Sequence, residues 1–66
     1  ALSDVGVGIL FAQAALEGAA LNVFINTRLM KARSQAEELN ARADRMIAEG
    51  REKKGRIYSQ VLQSVK

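Results

Sequence analysis

Hydropathy divides this chain at about residue 25. From Val5 to Ile25 it runs VGVGILFAQAALEGAALNVFI, apolar at nearly every position and interrupted by Gln13, Glu17 and Asn22. From residue 26 onward, charged and amide side chains alternate with small apolar ones in the rhythm of a solvated helix. The apolar run is about as long as a bilayer-spanning helix of ~20 residues. Glu17 falls near its centre, where a lone carboxylate costs roughly 2.5–3.5 kcal/mol, so a lipid-exposed single span is disfavoured.

A heptad seam crosses the composition change. Phe11, Ala15, Gly18, Asn22, Ile25, Leu29, Ala32, Ala36, Leu39, Ala43, Met46 and Gly50 are spaced 4, 3, 4, 3 throughout. This spacing predicts one long helix from Asp4 to Glu49, with Ser3 as its N-cap and Asp4 in the first turn, where the helix dipole favours a negative charge. The seam residues are small, and Ala14 with Gly18 and Ala15 with Ala19 add small-xxx-small spacings that let backbones approach closely. Gln13 and Glu17, four apart, share one face, which in a ring or tube of helices would line a polar lumen or pair across an interface, and in an isolated helix would face water. Glu38 with Arg42, Glu49 with Lys53 and Glu52 with Arg56 stand at i and i+4 and mark a solvated face. Gly50 and Gly55 bracket REKK and predict a hinge at 50–55. After it, Ile57, Tyr58, Val61, Leu62 and Val65 outline a short amphipathic helix over 56–66, which must dock either near Leu39 and Met46 or on a neighbouring subunit.

The expected fold is therefore all-α, in one element: an apolar segment 5–25, a charged helix 26–49, the hinge 50–55 and the short helix 56–66, assembled in a multi-chain helical array. Length supports association, because 66 residues rarely build a self-sufficient core without disulfides, metal or partner chains. Cys and His are absent, which removes thiol chemistry, the usual zinc ligands and any imidazole base. The serines have no histidine to activate them and the acids do not converge, so the residues predict no enzyme, no catalytic group, no cofactor and no metal. Copies of the chain itself are the expected partners.

Charge adds a second theme. All ten Lys and Arg residues lie in 28–66, against five acids there, and the chain as a whole carries +3. Arg42, Arg45, Arg51, Lys53, Lys54 and Arg56 can contact phosphates in a sequence-blind, salt-sensitive way, or can simply keep a helix face wet. Tyr58 is the one aromatic nearby, too little for base recognition. The packing interface is expected at Phe11, Ala15, Gly18, Ile25, Leu29, Leu39 and Met46.

Taken together, GAALNVFINTRLMKARSQAEELNARADRM and IAEGREKKGRIYSQVLQSV resemble the N-terminal region of internal, or ejection, proteins of short-tailed bacteriophages, with Glu49, Gly50, Arg51, Gly55 and Arg56 matching the turn between their helices. That resemblance implies a virion protein that partners other virion proteins and helps form a DNA conduit through the cell envelope. Residues 5–50 are also similar to translocation-filament subunits of type III secretion systems, through Asn22-Val23-Phe24-Ile25 and Ala32-Arg33. A different class of reading is a single-pass protein of a bacterial membrane, with the basic residues from Arg28 to Arg33 on the cytoplasmic side.

Overall fold

The computed structural model describes residues 1–66 and contains two helices, α1 (Leu2–Thr27) and α2 (Arg33–Val65), joined by residues 28–32. The all-α expectation holds. The helices run antiparallel as a hairpin measuring 51 × 15 × 12 Å, with Gly6 beside Val61 at the open end and Thr27 beside Asn40 at the turn.

The single long helix expected from Asp4 to Glu49 is instead broken after Thr27. No Gly or Pro marks the break. Asn22, Asn26 and Thr27 are weak helix formers, and Ala32 adopts a non-helical backbone (φ −77°, ψ 86°) at the start of α2. Arg33 closes the turn: its Nη1 donates to the carbonyls of Thr27 (2.9 Å) and Met30 (3.0 Å), satisfying acceptors that a helix C-terminus leaves open. At the other end, Ala1 rather than Ser3 caps α1.

The hinge expected at 50–55 is absent, and α2 runs through both glycines without interruption. Gly50 is needed for proximity rather than for bending. A Cβ there would overlap Gln13 Oε1 and lie 2.9 Å from Leu16 Cδ2 of α1. Gly55, where a Cβ would meet nothing, is simply a tolerated helix position. The short helix expected at 56–66 is the last part of α2, and its Val61 packs on Gly6 rather than on Leu39 and Met46.

The helix interface has heptad order. On α1 the buried positions are Gly6, Gln13, Ala20 and Thr27, seven residues apart, with Ile9, Leu16 and Val23 half-buried between them. On α2, Ala36, Ala43 and Val61 are buried, and Asn40, Ile47, Gly50, Lys54 and Ile57 are half-buried. Side chains this small let the helices approach closely but remove little apolar surface from water. Only seven of 66 residues are buried, so the hairpin has a seam rather than a three-dimensional core.

The expected seam lies elsewhere. Ala36, Ala43 and Gly50 do face α1, but Leu39 and Met46 turn outward at 38% and 56% exposure while Asn40 and Ile47 take the inner sites. On α1, Phe11, Ala15, Gly18 and Ile25 fall on the side away from α2, and Leu29 lies exposed in the turn. Because α1 is apolar around most of its circumference, more than one heptad stripe can be drawn along it. Its polar residues decide which stripe turns inward, since Gln13 and Thr27 find hydrogen-bond partners there.

Candidate functional site

Two polar clusters cross the seam. Midway along α1, Gln13 Nε2 donates to Glu17 Oε2 at 3.0 Å and to the Ile47 carbonyl at 3.4 Å. Glu17 in turn receives Arg51 from α2, with Nη2 to Oε1 at 2.6 Å and Nε to Oε2 at 3.4 Å. This two-pronged contact uses the fixed fork of the guanidinium. The hydrogen bond from Arg51, then that from Gln13, holds the Glu17 carboxyl below its ordinary pKa, while partial burial works against them; Lys54 adds a smaller attraction. The same contact raises Arg51 above its ordinary value. Glu17 is therefore a fixed anion, suited to accepting hydrogen bonds rather than delivering a proton.

The second cluster is at the turn. The Thr27 hydroxyl donates to Asn40 Oδ1 at 2.5 Å and lies 3.2 Å from the Phe24 carbonyl. Thr27 is 2% exposed, so Asn40 satisfies a hydroxyl that would otherwise be costly to bury. Between the clusters, Leu16, Ala19, Ala20, Val23, Ala43 and Met46 line an apolar groove of about 90 Å³. Arg42 and Leu39 stand along its continuation. The groove is large enough for one inserted side chain and too small for a cofactor.

Of the cations expected to contact phosphate, Arg51 is committed to Glu17. Lys54 is half-buried on the side of α2 facing α1, Arg42 borders the groove, and Arg45, Lys53 and Arg56 are exposed. The pairs expected at i and i+4 on α2 do not close; the ion pairs formed are Arg51 with Glu17 and the N-terminal ammonium with Asp4. Fully solvated pairs gain too little to hold two long side chains in place. The pairing of Glu17 with Arg51 was not legible from spacing, although Gln13 and Glu17 on one face and a glycine next to Arg51 were its visible halves.

Fold and site define an antiparallel helical hairpin, registered by buried amides and one cross-helix ion pair, with no convergence of reacting groups. Residues 1–45 match the sequence model of the formiminotransferase-cyclodeaminase family, and the chain belongs to that family. The match takes in all of α1, the turn and the start of α2. The chain is also similar to a methenyltetrahydrofolate cyclohydrolase of Methylorubrum extorquens, with 39% identity over 64 residues, covering 97% of this chain and 31% of that protein. The chain thus spans about a third of the length of this curated relative. No solved structure matches it.

Family membership overturns several expectations. The likeness to phage ejection proteins rested on the rhythm of an Ala-rich helix and a Gly-containing turn, which unrelated helical hairpins share. With it fall the DNA conduit, the virion or envelope location, the bacteriophage assignment and the likeness to secretion filaments. The single-pass membrane reading has no support from the family either. By length and composition α1 could cross a membrane, but its Gln13, Glu17 and Thr27 are engaged by α2. The expectation of no enzyme is likewise corrected, because the family and the relative are enzymatic. The absence of His and Cys misled because a hairpin equivalent to a third of the relative need not carry the reacting groups.

Proposed function

We propose that this chain forms one helical hairpin of an enzyme acting on the one-carbon group of a tetrahydrofolate, by cyclohydrolase or cyclodeaminase chemistry. The observation that carries the reading is the family match over residues 1–45, extended by similarity to the cyclohydrolase over nearly the whole chain. In a cyclohydrolase, water adds to the carbon bridging two nitrogens and one C–N bond breaks, leaving a formyl amide. This hairpin's part in that chemistry is architectural: the ion pair and the Thr27–Asn40 bond hold the register of two helices, and rigid elements are what a site must be built on.

Multi-chain helical association belongs to the same reading. A hairpin with so thin a seam and an apolar outer helix face is stabilised when further protein covers that face. The test is an assay of the purified protein, in the form its source produces, with methenyl- and formimino-tetrahydrofolate. Loss of the methenyl group faster than uncatalysed hydrolysis, or release of ammonia from the formimino substrate, is expected. Inactivity on both substrates overturns the proposal.

A further inference from the structure

We draw no further inference here: the strongest candidate, the open apolar groove between α1 and α2 lined by Leu16, Val23, Ala43 and Met46 with Arg42 at its edge, carries nothing because nothing in the structure shows what covers it.

Discussion

At the scale of single residues, the five glycines of this chain do different things, and the distinction is steric rather than conformational. None adopts positive φ. Gly50 and Gly6 sit where the partner helix comes closest; a Cβ on Gly6 would lie 3.0 Å from Val61 Cγ1. Gly55 touches nothing. Removing glycine from an open helix position should stabilise by about 0.5–1 kcal/mol, so Gly55→Ala should melt higher than the parent. Gly50→Ala gains the same backbone term but must displace the Gln13 amide from Glu17 and Ile47, and overpacking costs about 1–3 kcal/mol. Chemical denaturation followed by circular dichroism should place Gly50→Ala below Gly55→Ala by at least about 1 kcal/mol. Equal stabilities would mean that the helices are farther apart at Gly50 than described. Spacing alone showed both glycines as helix weakeners, because sequence contains no information about what stands opposite a backbone.

At the scale of the elements, helix content was legible and helix ends were not. The absence of proline, the strong helix formers and the heptad spacing pointed to helix over nearly the whole chain. The break at 28–32 depends on Arg33 reaching back to the Thr27 carbonyl and on Thr27 meeting Asn40, contacts that exist only once the hairpin has closed. The inner face of α1 was hidden for a related reason: in a helix apolar all round, the choice between two stripes is made by Gln13, Glu17 and Thr27 finding partners on α2. The ion pair of Glu17 with Arg51 gives this pairing a pH dependence. Since the folded-state pKa of Glu17 is depressed, its contribution is present above the ordinary glutamate pKa and is lost as pH falls through the folded value. Thermal melts should therefore decline on acidification below the ordinary carboxylate range, and Arg51→Ala should flatten that decline. An Arg51→Ala chain with the parent's acid profile would show that other carboxylates set it.

At the scale of the molecule, the hairpin is held by a thin seam, with seven of 66 residues buried. What composition could not supply was kinship. Rhythm and residue content are shared by phage, secretion and enzyme helices alike, so the folate family emerged only by comparison. The inner seam and the ion pair both depend on the chain doubling back at 28–32. The most direct test is an electron spin resonance distance between labels on Ser3→Cys and Ser64→Cys, two exposed positions in a chain without native cysteine, measured with excess unlabelled chain to suppress signals between copies. Packed helices lie about 8–10 Å apart, so the hairpin predicts a separation within roughly 25 Å once label length is included. At 1.5 Å per residue, a continuous helix would hold the labels on the order of 90 Å apart, and a separation of that size would contradict the account.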